Sequence, residues 1–169
     1  MSGRAGAKGK RPSFAALRQA YPTTNAVSRV QLFQELGIES LIGDIKYENT
    51  CGIRMSYALT KAGAALTRGG LRINKGPFQG SRIEPSMRKL AEHLAELWGP
   101  PQKFDSNAKA TQELTLQQGV VAFFFGEFLP LVGAQGHIDL LLPRWPGFEE
   151  CVGSCNFGRD NKVWFWPLP

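Results

Sequence analysis

One cysteine in this 169-residue chain stands where a thiol can act as a nucleophile. Cys51 follows Asn49 and Thr50, whose short polar side chains cap helices, and it precedes a stretch with helical patterning. At a helix start the free amide N–H groups and the helix dipole favour negative charge, so a thiolate is stabilised there. These N–H groups, that of Cys51 included, are also expected to stabilise an oxyanion. A nucleophilic cysteine needs a base as well, and His137 is the better placed of the two histidines. It opens an apolar segment directly after Gly136. Alternation along a strand puts His137, Asp139 and Leu141 on one face and Ile138, Leu140 and Leu142 on the other. A His and an Asp on an apolar strand are costly unless paired. The bland alternatives are a Cys51 that is only a small buried apolar residue and a His137–Asp139 pair that is only structural. His93 falls on the polar side of its segment and reads as solvated.

The elements that must position these groups follow from periodicity and punctuation. Residues 12–20 predict a short helix, with Ser13 able to cap it and Pro22 marking its end. Residues 28–42 carry Val30, Leu32, Phe33 and Leu36 at near-helical spacing, and Gly37 stops that helix. Residues 50–66 are the clearest helix, expected to end at Gly69-Gly70. Residues 67–85 read as a glycine-rich basic loop with Arg68, Arg72, Lys75 and Arg82, a segment that would border a substrate groove. Residues 86–98 are an amphipathic helix closed by Gly99-Pro100-Pro101. Then the period changes. Residues 120–125, 137–142 and 163–166 are short, apolar and rich in β-branched or aromatic residues, as strands are. Helices first and strands second predict an α+β fold, N-terminal helices packed on a small antiparallel β-sheet.

The net charge is +6, and Arg4, Lys8, Lys10 and Arg11 supply four of the positives with no acid among the first eleven residues. The body carries 6 − 4 = +2. The expected organisation is a disordered basic tail over 1–11 and a single domain over 12–169. The tail has no apolar run, so it is no secretory signal. The longest apolar run, residues 120–125, is far short of the ~20 residues a membrane helix needs, so no membrane insertion is expected. A basic nucleic-acid-binding module is the reading from another class, but Phe78 is the only aromatic among the 67–85 cations and base stacking is poorly served. Nucleic acid is therefore not an expected partner. Of three cysteines, Cys151 and Cys155 lie four apart and could pair, leaving Cys51 free. With no neighbouring His they make a poor zinc pattern. No metal or organic cofactor is expected.

The local sequence around these groups is more specific than their order. The segment Glu48-Asn49-Thr50-Cys51-Gly52-Ile53-Arg54-Met55-Ser56-Tyr57-Ala58-Leu59 closely resembles the nucleophile segment of the class-four type VI secretion amidase effectors. Gly136-His137-Ile138-Asp139-Leu140 resembles that family's histidine strand, and Arg11-Pro12-Ser13-Phe14 and Trp164-Phe165-Trp166-Pro167-Leu168 are also similar to it. The resemblance implies a papain-like, NlpC-related cysteine peptidase fold. It implies an antibacterial toxin that enters rival Gram-negative cells through type VI tube or spike components and acts in their periplasm. The implied substrate is the peptidoglycan stem peptide, cut between D-glutamate and meso-diaminopimelate, and the implied partner is a cognate immunity protein. A phage-type lysin with the same chemistry is the alternative that differs only in delivery. Carried over residue by residue, Cys51 is the nucleophile and His137 the base. The family's third residue is an Asp in a short loop near a disulfide of closely spaced cysteines. Cys151 and Cys155 match that disulfide, but Val152, Gly153 and Ser154 between them include no Asp. Asp139 is the first choice for the third residue, with Glu149, Glu150 and Asn156 as alternatives. Residues i and i+2 on a strand are about 6–7 Å apart at Cα, so a side chain from a neighbouring segment such as Asn156 could approach more closely.

Overall fold

The computed structural model describes residues 9–126, 136–157 and 161–169. Residues 1–8, most of the expected tail, lie outside the described residues. Arg11 is held, its guanidinium donating to the carbonyls of Trp98 and Pro167. Short polar residues start the N-terminal helices. The Ser13 hydroxyl accepts from the Ala16 N–H at the head of α1 (Phe14–Ala20). Ser28 and Gln31 form a capping box on α2 (Arg29–Leu36), which Gly37 ends in a left-handed conformation. α3 (Cys51–Lys61) is buried over nearly all its length, and α4 (Met87–Trp98), capped by Ser86, buries one face.

Two expectations change here. α3 is shorter than residues 50–66. Gly63, at φ +82°, takes the left-handed turn, and the Ala64 N–H returns to the Leu59 carbonyl. The helix therefore closes well before Gly69. Residues 67–85 are not all loop, since β1 (Leu71–Arg72) pairs antiparallel with β2 (Arg82–Ile83). Ile73 and Ile83 bury against Leu36, Ile53 and Tyr57, which ties this hairpin to α2 and α3.

The sheet comprises β3 (Gln102–Phe104), β4 (Gly119–Phe125), β5 (Gly136–Leu142), β6 (Glu150–Cys151) and β7 (Asn161–Pro167). Its order is β3-β7-β4-β5-β6 and every pairing is antiparallel. Strand alternation sorts the core into two layers. Val120, Ala122, Phe124, Ile138, Leu140 and Leu142 meet Met55, Leu90, Leu94 and Trp98 of the helices. Val121, Phe123, Leu141 and Phe165 face the other way, onto Ala110 and Leu114. The covering element there is α5 (Asn107–Glu113), which sequence patterning did not indicate. Each such side chain, fully buried, contributes about 1.5–3 kcal/mol, so this double-sided core holds β5 rigidly under the chemistry it carries.

His93 departs from its expected place. It is buried at 3% exposure, because the turn after α3 packs over it. Its Nε2 accepts the Thr67 N–H at 3.1 Å, while Nδ1 sits 3.5 Å from a Glu96 oxygen, too far for a hydrogen bond. Among the described residues no helix is long and apolar enough to cross a membrane.

Candidate active site

Cys51 is the first residue of α3 and is nearly buried, at 6% exposure. The cap differs from the one expected. Thr50 holds the N-cap position but makes no cap hydrogen bond. Its hydroxyl instead accepts from Arg54 Nε at 2.9 Å. Asn49 does the local work, its Oδ1 accepting the Cys51 N–H at 3.1 Å. That N–H, expected to be free for an oxyanion, is therefore occupied.

β5 brings in the imidazole. His137 Nε2 lies 2.7 Å from Asp139 Oδ2. The ring and Cys51 line the same cavity. Asp139 is fully buried, and its carboxylate is satisfied by backbone. Oδ1 accepts the Leu140 N–H at 2.7 Å and the Gly153 N–H at 3.0 Å. Oδ2 accepts the Ser154 N–H at 2.9 Å and a longer branch from Gly153 at 3.1 Å. Gly153 is needed for this approach, because a Cβ there would stand 2.5 Å from Oδ2. The Cys151–Cys155 disulfide closes the loop that presents these two N–H groups, with Cα atoms 5.1 Å apart. The separation of i and i+2 at Cα does not prevent the His–Asp contact. Both side chains lean toward each other, and the disulfide loop pins the carboxylate in place.

The alternatives to Asp139 are engaged elsewhere. Glu150 pairs with Arg144 at 2.8 Å, Glu149 accepts the Gly147 N–H, and Asn156 Nδ2 donates to the Ser154 carbonyl.

The electrostatics favour a charged imidazole. Burial pushes the His137 pKa down, but hydrogen bonds to Asp139 and Cys51, with the negative charge of both, outweigh it and raise the pKa to about 9. Tyr21, the residue that ends α1, sits on the same wall. Burial first, then the charges of Asp139 and Cys51, hold its phenol well above its usual range despite the opposing effect of Arg54, so it stays a neutral O–H donor.

Two cavities meet at Cys51 and Asn49. One, of about 360 Å³, is lined by Tyr21, Arg54, His137, Gly153 and Ser154 among others. The other, of about 400 Å³, is lined by Lys46, Gly70, Leu71, Glu84 and Lys89 among others. From the basic 67–85 segment, Gly70 and Leu71 line this cavity while Arg68 is drawn away to Glu96 at 2.8 Å. The bordering cations are Lys46 and Lys89. Together the cavities form a groove of a size that takes a short peptide, with the thiol between the two arms. Among the described residues no group of three or more His, Cys, Asp or Glu side chains could hold a metal ion. Sequence reasoning missed Tyr21 and Arg54. Arg54 had a visible signal, as a charge between the apolar Ile53 and Met55 of a buried helix.

Comparison with known proteins gives a family and a fold. Residues 47–166 match the family model of type VI secretion system amidase effector protein 4. The Tae4–Tai4 effector–immunity complex from Enterobacter cloacae aligns with TM-score 0.73 and 21% identity, over 95% of this chain and 100% of that one. Tae4 from the same organism gives TM-score 0.72 and 21% identity, over 96% and 99%. The effector Tae4 from Salmonella typhimurium, in complex with Tai4 from Enterobacter cloacae, gives 0.70 and 21%, over 94% and 100%. These likenesses give the fold, the papain-like α+β arrangement expected. No curated protein sequence matches the chain.

Proposed function

We propose that this chain, which belongs to the type VI secretion system amidase effector 4 family, performs its amidase chemistry through a Cys51 thiolate and a His137 imidazolium. The observation that carries this is the His137–Asp139 contact at 2.7 Å in the same cavity as Cys51, within a groove open on both sides of the thiol. With a pKa of about 9, His137 is protonated at neutral pH and can sustain a thiolate beside it.

Cys51 Sγ attacks the amide carbonyl, and the oxygen takes up negative charge. The Tyr21 phenol and the N–H groups of the first turn of α3 are the donors at hand for it, and the Cys51 N–H joins them when Asn49 Oδ1 swings away. His137 gives its proton to the leaving nitrogen, the C–N bond breaks and a thioester remains. The neutral imidazole then takes a proton from water, the hydroxide attacks the thioester, and Cys51 leaves as thiolate. Asp139 keeps Nε2 protonated and aims the other nitrogen at the thiol throughout.

The substrate is the peptidoglycan stem peptide, cut between D-glutamate and meso-diaminopimelate. Delivery is by the type VI tube or spike into a target cell's periplasm, an oxidising space in which the Cys151–Cys155 disulfide persists. The immunity protein Tai4 in the solved complexes of Tae4 supports a cognate immunity protein here. The test is mass spectrometry of purified sacculi digested with wild type, Cys51→Ala and His137→Ala. Wild type is expected to release stems cut at that bond and both variants none, with the double variant little worse than either. Release of the same fragments by Cys51→Ala at a similar rate would refute the thiol mechanism.

A further inference from the structure

We propose that Arg54 forms a subsite for a carboxylate on the amine half of the scissile amide. The proposal rests on the cysteine-amidase reading for the side of the cleft it assigns. Arg54 lies one turn after Cys51 and is 3% exposed, yet among the described residues no carboxylate pairs with it. A buried guanidinium without an anion is expensive, and neutral acceptors offset only part of that cost. Three such acceptors fix its plane. Nε donates to Thr50 Oγ1 at 2.9 Å, and Nη1 donates to the carbonyls of Pro22 and Val27 at 2.8 Å each.

Nη2 is left over. It makes no hydrogen bond among the described residues, and it is not among their sealed, unpartnered polar atoms, which are Arg29 Nη2, His93 Nδ1 and Asn107 Oδ1. The residue lines the cavity that also holds Cys51 and His137. The result is a preorganised cation with one free edge, and charge-assisted hydrogen bonds to carboxylates are what such an edge provides.

The chemistry fixes which half of the substrate meets it. His137 must pass its proton to the leaving nitrogen, so the amine half lies in the arm that contains His137. That arm contains Arg54. The other arm, with Lys46 and Lys89, receives the acyl half. Glu48 lies on the Arg54 wall as well, at the exposed mouth, so this arm suits a residue bearing a free carboxylate together with an ammonium.

Two synthetic stem peptides test this, identical except that the carboxylate of the amine-side diamino acid is free in one and amidated in the other. Affinities for the Cys51→Ala protein are measured by calorimetry, and kcat/KM with wild type. The free acid is expected to bind at least about tenfold more tightly and to be cleaved with a lower KM. In Cys51→Ala/Arg54→Gln the ratio of the two affinities should collapse to about twofold. The ratio is insensitive to a partly folded preparation, and Arg54→Lys, which keeps the charge without the fork, serves if the Gln variant does not fold, with an intermediate ratio. Equal affinities for the two peptides, or a ratio preserved in the variants, overturn the proposal. Failure of wild type to cleave either peptide while the affinity ratio stands overturns the cysteine-amidase reading instead.

Discussion

Asp139→Asn isolates the charge that holds the site together. The shape is nearly unchanged, but the amide offers one acceptor oxygen where the carboxylate offers two. If the oxygen stays at the Oδ1 position it keeps the Leu140 and Gly153 N–H groups. The NH2 then faces both the Ser154 N–H and His137 Nε2, each a donor toward the native oxygen. Flipping the amide moves the conflict to the other pair. Either way His137 loses its anion and remains in a buried site. With the hydrogen bond and charge of Asp139 gone, only Cys51 still opposes burial, and the pKa falls from about 9 toward the ordinary 6.5.

The rise to about 9 corresponds to roughly 3 kcal/mol favouring the imidazolium, shared between Asp139 and Cys51. Because the folded pKa lies above the unfolded one, this stability is fully present below pH ~6.5 and is lost as pH rises through about 9. Two assays follow. The alkaline limb of kcat/KM against pH, near 9 in wild type, should move to near neutrality in Asp139→Asn, with a loss of about 10²–10⁴-fold at pH 7.5, the scale seen when a histidine loses its orienting carboxylate. Urea unfolding across pH 6 to 10 should show the wild-type decline and a flatter line for the variant. A variant whose alkaline limb stays near 9 and whose rate stays within threefold of wild type would show that Asp139 does not set the charge of His137.

The remaining predictions concern supports of the same line. Replacing Cys151 and Cys155 together by Ser should cost only about 2 kcal/mol of stability, because the closed loop is short. Activity should fall much further, at least tenfold per folded molecule, since the Gly153 and Ser154 N–H groups that anchor Asp139 lie within that loop; equal activity of the reduced and oxidised wild type would contradict this. His93→Ala should lower stability by about 1–3 kcal/mol in urea denaturation, because a buried side chain is removed and the Thr67 N–H loses its acceptor. Its kcat/KM per folded molecule should stay within about twofold of wild type, and a large kinetic loss at unchanged stability would mean that His93 takes part in the chemistry.

Sequence alone determined what nearest neighbours determine. Ser13 marks a helix start because its side-chain oxygen reaches the amide three residues on. The strand segments of β4, β5 and β7 are legible as short apolar runs rich in β-branched or aromatic residues, and the α+β order follows from their position after the helices. Cys51 and His137 were legible as candidates because a helix start and a His and an Asp on a glycine-led apolar strand are local signals. Tertiary structure decided the rest. Whether Asp139, Glu149, Glu150 or Asn156 meets the imidazole depended on how the 151–155 loop folds back over β5, and no local pattern encodes that return. Arg54 and His93 show the same limit in opposite ways. One is a charge inside a buried helix, held by carbonyls from the turn after α1. The other looked solvated until the turn after α3 closed over it. Periodicity records which face of an element is apolar, but the partner that covers a given polar group is set by packing between segments distant in the chain, where the cost of leaving a buried donor or charge unmatched selects one arrangement.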